Sequence, residues 1–200
     1  ELLYQVSFLH ALLYREFIIH SHIDQEIDMS IILDQMIENR IFVHDIQHDT
    51  ISVDSEYGEK TYAFLCAMIW PFIDSYYITS LLLVSLQSKR KIEESVLTPR
   101  VQWLATTLYH EQMICFYESC SIDTLKNAYY ILKQLNIIES FQENGKSYVK
   151  LSNKYDDIDK LNTFVNHIST LRKEPPVKKS TNINDKNRNI IAEVPILAKL

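Results

Sequence analysis

The chain has 200 residues, of which 46% are hydrophobic and 23% charged, a composition typical of a globular protein with a substantial core. Two glycines and five prolines exclude collagen-like, linker-like and glycine-rich phosphate-loop architectures. Twenty basic against 26 acidic residues leave a formal net charge of −6, which argues against a nucleic-acid binder. Three cysteines are too few for a disulfide framework and indicate a reducing compartment. A helical pattern starts at Glu1 without an initiator methionine, so we expect a piece of a longer protein.

The first part of the chain predicts two helices followed by a hairpin. Apolar residues recur at helical spacing over residues 2–22. Asp24 suits the N-cap of a second helix that extends to Asn39. The period then changes to two, and the alternating stretches 42–44 and 50–53 flank a polar turn, which predicts a β-hairpin.

A long apolar stretch follows at residues 62–86, interrupted by Pro71 and Asp74. Its length is sufficient to cross a bilayer. The proline and the carboxylate favour a pair of helices buried in a protein core instead. Contact with a membrane surface and a true membrane span are the alternatives. Residues 88–98 are interpreted as a charged connector.

Two further helices are expected after the connector. Pro99 is well suited to a first helical turn, and the pattern extends to about Cys120. Ser121 or Asp123 would cap the next helix, which extends through Leu135.

A second hairpin and a last helix complete the ordered part. Strand patterns at 137–142 and 147–151 flank Asn144-Gly145, a strong short-range hairpin signal. An amphipathic helix is predicted over residues 156–172. Residues 173–200 contain six basic and three acidic residues and lack a sustained period, so we expect a disordered basic tail.

Two segments of the chain resemble each other. LLYREFIIH at 12–20 matches TLYHEQMIC at 107–115, and a helix and then a hairpin follow each at an offset of 95 or 96 residues. Helix, helix and two-stranded wing is the element order of a winged helix. We therefore predict a mainly α fold with two small β-hairpins, in which winged-helix-like units at about 1–57 and 99–172 flank apolar helices at 58–87.

The residues with catalytic or ligating chemistry form no convincing site. His44 and Asp49 have the spacing of a base and its orienting carboxylate, but they lie in a polar hairpin turn. The histidines near the first hairpin lack the close spacing of zinc ligands, and Cys115 and Cys120 are interpreted as small buried hydrophobic residues. We assign no catalytic, cofactor-binding or metal-ligating residue; the metal candidates considered were His20, His22, Asp24, His44 and His48.

Winged helices often bind DNA, but the candidate recognition helices lack the charge for it. The first contains Asp28, Asp34 and Glu38, and the second offers only Lys126 and Lys133. Because attraction to phosphate dominates nucleic-acid affinity, we expect no nucleic-acid partner and favour protein contact.

The sequence resembles the C-terminal region of the glycerol-3-phosphate and dihydroxyacetone-phosphate acyltransferases. The resemblance covers about residues 1–172, and ELLYQVSFLHALLYREFIIH at the start is similar to the beginning of that region. FLCAMIWPFIDSYYITSLLLVSL at 64–86 looks like the family's Pro-Phe-aromatic block. VQWLATTLYHEQMICFYESCSIDTLKNAYYILKQLNII at 101–138 is similar to the helices that follow it.

The resemblance implies a non-catalytic part of an enzyme. The family transfers an acyl group from acyl-CoA to the sn-1 hydroxyl of its phosphorylated acceptor, in the first step of glycerolipid synthesis. Its catalytic His-x4-Asp block lies before the C-terminal region, so His44 and Asp49 do not inherit that role. Acyl-CoA would be a co-substrate, and no bound cofactor or metal is implied.

The resemblance also implies the partners and the location of the parent protein. This region would pack on the upstream acyltransferase domain, and the parent would be intracellular and associated with a membrane surface. The endoplasmic reticulum, the mitochondrial outer membrane and the peroxisome are not distinguished. The alternative hypothesis is a free-standing tandem winged-helix module for protein interaction.

Overall fold

The computed structural model describes residues 2–17, 25–86 and 90–174. It is mostly helical with two small antiparallel sheets, which confirms the predicted mainly α fold with two hairpins. In chain order the elements are α1 (Leu2–Leu13), α2 (Gln25–Glu38), β1 (Phe42–Asp45), β2 (Thr50–Val53), α3 (Glu59–Val84), β3 (Ile92–Glu93), α4 (Glu94–His110), a 3₁₀ turn (Tyr117–Cys120), α5 (Ile122–Gln134), β4 (Ile138–Glu143), β5 (Lys146–Leu151) and α6 (Ile158–Thr170).

The chain divides into two compact units, and the boundary falls between Trp70 and Pro71, inside α3. The first unit contains α1, α2, the β1–β2 hairpin and the first part of α3. The second contains the rest of α3, the three-stranded sheet and α4 to α6. Each unit contains two successive helices followed by a hairpin: α1, α2 and β1–β2 in the first, and α4, α5 and β4–β5 in the second.

In the first unit, a left-handed residue joins α2 to the hairpin. Arg40 has a φ of 56°, and the next amide, that of Ile41, donates to the Met36 carbonyl at 2.8 Å. This pair of features ends the helix in a Schellman motif. β1 and β2 then pair from Phe42 opposite Val53 to the four-residue turn.

In the second unit, Asn136 plays the same part after α5. Its φ is 54°, and the amide of Ile137 donates to the Leu132 carbonyl at 3.0 Å. β4 and β5 pair around a two-residue turn at Asn144-Gly145, both with positive φ, as the sequence predicted. β3 pairs with the outer edge of β5, which gives a sheet of order β3-β5-β4.

The core of the second unit is built around the later part of α3. Its residues 73–83 are all buried, because the helix is covered on every side there. Helices α4, α5 and α6 and the sheet supply the remaining core side chains. The largest fully buried ones in this unit include Tyr76, Ile78, Leu82, Leu97, Leu104, Leu108 and Leu125.

Pro71 does not break the helix, so the predicted pair of apolar helices is wrong. α3 is one helix of 26 residues with Pro71 in its interior. A proline inside a helix costs about 3 kcal/mol, because it removes one backbone hydrogen bond and crowds the preceding turn. Burying the apolar residues that follow it returns about 2 kcal/mol for each large side chain, which outweighs that cost.

The boundaries of α4 also differ from the prediction. The helix begins at Glu94 instead of Pro99, because Ile92 and Glu93 of the supposed connector form a strand on β5. It ends at His110 instead of near Cys120, because Gln112 adopts a left-handed φ of 60° and closes the helix.

Other sequence predictions fall partly outside the described residues. α1 ends at Leu13, short of the predicted residue 22, because the chain tightens into a turn there: the Glu16 amide donates to the Leu13 carbonyl at 2.9 Å. The basic tail lies outside the described residues from 175 onward, as do His20, His22 and Asp24.

Candidate functional site

The first unit exposes most of its apolar side chains. Of its residues whose burial is described, only Leu12, Leu13 and Gly58 are buried. The first turns of α3 present large side chains to the outside, among them Phe64 at 65% and Met68 at 52% exposure. We call this set the first-unit apolar surface; its exposed members are Leu2, Leu3, Tyr4, Tyr14, Phe17, Ile31, Ile32, Val43, Ile46, Ile51, Tyr57, Tyr62, Phe64, Leu65 and Met68.

The α3 helix is long and apolar enough to cross a membrane by length and composition. Its most apolar window has a mean hydropathy of 1.4, and 61% of that window is buried inside the protein. The exposed apolar residues are concentrated in the earlier turns, whereas residues 73–83 are buried. Only the earlier turns therefore offer apolar area to a partner.

The second unit contains a buried ion pair. Arg172 donates from Nε to Asp74 Oδ1 at 2.5 Å, and the two side chains are 10% and 1% exposed. The same guanidinium donates to the Met113 carbonyl at 3.0 Å and lies 3.9 Å from the centre of the Tyr77 ring. Arg172 thus ties α3 to the segment after α4 and to the end of α6.

Burial and charge act in opposite directions on Asp74. Loss of solvent raises the pKa of this carboxyl above its usual range, and the neighbouring Arg172 charge partly offsets the rise. Asp74 Oδ2 has no hydrogen-bond partner in the described part of the chain. Burial likewise raises the pKa of Tyr77, again against the effect of Arg172. The sequence showed Asp74 as an interruption of an apolar stretch but gave no sign of its partner 98 residues away.

A second polar network joins the start of α4 to the hairpin. The Glu94 carboxylate accepts hydrogen bonds from Tyr129 Oη and Ser147 Oγ, each at 2.5 Å, and Tyr129 also contacts Ser140 Oγ at 2.9 Å. These bonds lower the pKa of Glu94, and burial together with the Glu94 contact raises the pKa of Tyr129 to about 12. The network fixes the orientation of the sheet on α4 and α5.

The structure brings His44 and Asp49 together, but on an open turn. His44 Nε2 lies 3.1 Å from Asp49 Oδ1, and the Asp49 side chain is 94% exposed. A neighbouring pair, His48 and Asp45, meets at 2.7 Å in the same turn. Side chains this exposed do not form a pocket for an acceptor, so the contact has the geometry of a base and its carboxylate without a substrate site.

Potential metal ligands, the cysteines and the surface cleft give no stronger candidate for a functional site. Within the described residues, no three His, Cys, Asp or Glu side chains are grouped to hold a metal ion. Cys115 and Cys120 were both expected to be buried; Cys120 is buried, whereas Cys115 is half-buried. A cleft of about 660 Å³ lies beside Cys115 in the second unit, lined by Tyr109, His110, Gln112, Ile114, Cys115, Lys173 and Glu174.

The family of the chain follows from comparison with known proteins. A family model described as the glycerol-3-phosphate acyltransferase C-terminal region matches residues 1–140. The match ends inside β4, so it is shorter than the resemblance over 1–172 and leaves out β5 and α6. No curated protein matches the chain. The matched residues include the first unit, all of α3 and most of the second unit's helices, and the chain therefore belongs to the glycerol-3-phosphate acyltransferase family, through its C-terminal region.

Proposed function

We propose that this chain is the non-catalytic C-terminal region of a glycerol-3-phosphate or dihydroxyacetone-phosphate O-acyltransferase. The parent enzyme transfers an acyl group from acyl-CoA to the sn-1 hydroxyl of the acceptor. The chain packs on the upstream catalytic domain and supports it. The family match supports the identity of the parent, and the single observation that carries the packing on a catalytic domain is the first-unit apolar surface.

The extent of that surface favours a large protein partner. Soluble monomers seldom leave this many large apolar side chains of one unit in water, because each Å² exposed costs about 25 cal/mol. Exposed side chains occur on α1, on α2, on the hairpin and on the first turns of α3, so they are not confined to one element. A domain of the same parent chain covers such a surface without an entropic cost for bringing two molecules together.

The polar chemistry supports a non-catalytic role. The His44–Asp49 contact lies on an exposed turn, and the buried Asp74 is committed to Arg172. We therefore expect the chain alone to transfer no acyl group from acyl-CoA, and a purified preparation that did so would overturn the proposal.

The first experiment measures protection of the apolar surface in the parent enzyme. In a background without native cysteines, Phe64→Cys and Met68→Cys are labelled with a maleimide in the isolated chain and in the whole enzyme. We expect labelling in the whole enzyme to be roughly tenfold slower or more, since a covered thiol is shielded from reagent. Ile122→Cys, at an exposed position of the second unit, is the matched control and labels equally in both.

The parent's membrane association is tested by the same labels. Protection that persists after detergent has replaced the lipid comes from the protein partner that we propose. Protection that appears only when phospholipid vesicles are present would assign the surface to the bilayer instead. Equal labelling of Phe64→Cys in the isolated chain and the whole enzyme would overturn the proposal that the upstream domain covers this surface.

A further inference from the structure

The two units share one construction at the joint between helix and hairpin. In the first unit the Ile41 carbonyl accepts from the Asp54 amide, and in the second the Ile137 carbonyl accepts from the Ser152 amide, each at 2.9 Å. Ile41 and Ile137 each follow a left-handed residue that ends the preceding helix. The same isoleucine therefore closes the helix end and the base of the hairpin in both units.

The strand registers of the two hairpins correspond as well. Phe42 lies opposite Val53 at the base of the first hairpin, as Ile138 lies opposite Leu151 in the second. Counting from these base pairs, Ile51 corresponds to Val149 and Thr50 to Tyr148. The second hairpin differs only at its turn end, where its strands continue further before a shorter turn.

The outer edge of the second strand differs between the units. In the second unit, β3 occupies the outer edge of β5, with Ile92 opposite Val149 and Glu93 opposite Tyr148. In the first unit, the only strand paired with β2 in the described part of the chain is β1. Val149 is 0% exposed, whereas its counterpart Ile51 is 42% exposed. The first unit therefore has no counterpart of β3 at this edge among the described residues, and the residue at the equivalent position is exposed.

We propose that an extended segment of the parent chain, directly preceding α1, pairs with the outer edge of β2 at Thr50 and Ile51. The position of β3 identifies this occupant, because β3 leads without a break into α4. The match of LLYREFIIH with TLYHEQMIC makes α1 the counterpart of α4, so the missing strand belongs just before α1. By analogy with Ile92, the residue opposite Ile51 is apolar.

This pairing would fix how the upstream domain is joined to the first unit. The inference rests on the proposed function, in which an acyltransferase domain precedes this region in the same chain. The segment that links the two parts is then a strand of the first unit's sheet, held by backbone hydrogen bonds, and not a free linker. An unpaired strand edge also invites pairing with other chains, so covering it protects the parent from aggregation.

The experiment is a disulfide scan in the full-length parent enzyme. Ile51→Cys is combined with a single cysteine at each of about eight positions preceding Glu1, in a background without native cysteines, since paired strands hold Cα atoms at about the separation a disulfide needs. The pair Ile92→Cys and Val149→Cys is the positive control, because these residues are opposed across paired strands. Under mild oxidation we expect an intramolecular disulfide with Ile51→Cys at one position, or at two positions separated by one residue, because alternate residues of a strand face the same side.

The possible outcomes separate this inference from the proposed function. A disulfide at one position, or at alternate positions, before Glu1 supports the strand, and cross-linking without alternation along the scan would overturn it. A cross-link between two copies through Ile51→Cys would overturn it in favour of pairing between chains, and no cross-link at any position while the control forms would also overturn it. The acyltransferase activity of the same parent protein, measured in parallel, tests the proposed function independently of the scan.

Discussion

Asp74 and Arg172 show how a single side chain determines the environment of another. Asp74 is buried within α3, and among the described residues Arg172 supplies its opposite charge and a hydrogen bond. Removing one member of a buried pair leaves the other uncompensated, which costs about 3–5 kcal/mol, whereas replacing both by apolar groups is often nearly neutral.

At this scale we predict the effects of substituting the pair. Arg172→Met should lower the free energy of unfolding by about 3 kcal/mol at neutral pH, because it leaves a buried carboxylate unpaired. The double variant Asp74→Leu, Arg172→Met should recover much of that loss. Urea unfolding followed by circular dichroism measures both. Equal destabilisation by the single and the double variant would contradict a pair interaction and point to packing alone.

The same pair makes stability depend on pH. The folded-state pKa of Asp74 lies above the usual 3.8, so protonation of this carboxyl stabilises the folded state. This stabilisation is complete below pH 3.8 and is lost as the pH rises through the folded-state pKa. Asp74→Asn removes this dependence, so the variant should gain stability relative to the native chain as the pH rises through that window. A constant difference between the two proteins over the same pH range would show that the carboxyl is not shifted.

At the scale of elements, the two glycines are needed at their positions for different structural reasons. Gly58 lies against the backbone of Ile41, and a Cβ there would overlap the Ile41 carbonyl oxygen at the base of the first hairpin. Gly145 has open space around it, but its φ of 76° belongs to the hairpin turn.

We predict that the two Gly→Ala substitutions destabilise the protein for different reasons. Gly58→Ala forces the turn away from Ile41 and should cost about 1–3 kcal/mol, as overpacking does. Gly145→Ala strains only φ and should cost about 1–2 kcal/mol. Thermal unfolding measures both, and hydrogen exchange at the Asp54 amide separates them: only Gly58→Ala should accelerate it. Unchanged exchange there would contradict the close approach.

The elements also show what sequence patterns can and cannot predict. Asn144-Gly145 located the second hairpin, because that dipeptide favours the left-handed turn that the strands need. The passage of α3 through Pro71 was not predictable locally, because burial of the following residues decides it. The end of α4 at His110 was missed since Gln112, not a glycine, adopts the left-handed conformation. The Asp74–Arg172 pair joins positions far apart in sequence, and no local pattern records such a contact.

At the scale of the whole molecule, the two units differ in how much they bury. The second has a continuous core, whereas the first leaves apolar side chains of every one of its elements exposed. Local stability follows the number of buried apolar contacts, so the two units should open with different free energies.

We predict that hydrogen exchange will show this difference in the isolated chain and a smaller one in the parent enzyme. In the isolated chain, amides of α2 and the first hairpin should exchange faster than those of α5 and the second hairpin. In the parent enzyme, the first set should slow while the second changes little, because only the first-unit apolar surface gains a partner. Equal protection of α2 in both proteins would indicate that the unit is stable without an upstream domain.

The position of Arg172 has a consequence for the order of events during synthesis. Asp74 leaves the ribosome 98 residues before its counter-charge, and β3 is likewise made long before the strand it pairs with. A nascent chain that ends before residue 172 therefore contains the apolar helix and a carboxylate that it cannot bury at low cost. The second unit therefore cannot complete its core before residue 172 has been made, and a shorter nascent chain exposes the apolar residues of α3 to aggregation.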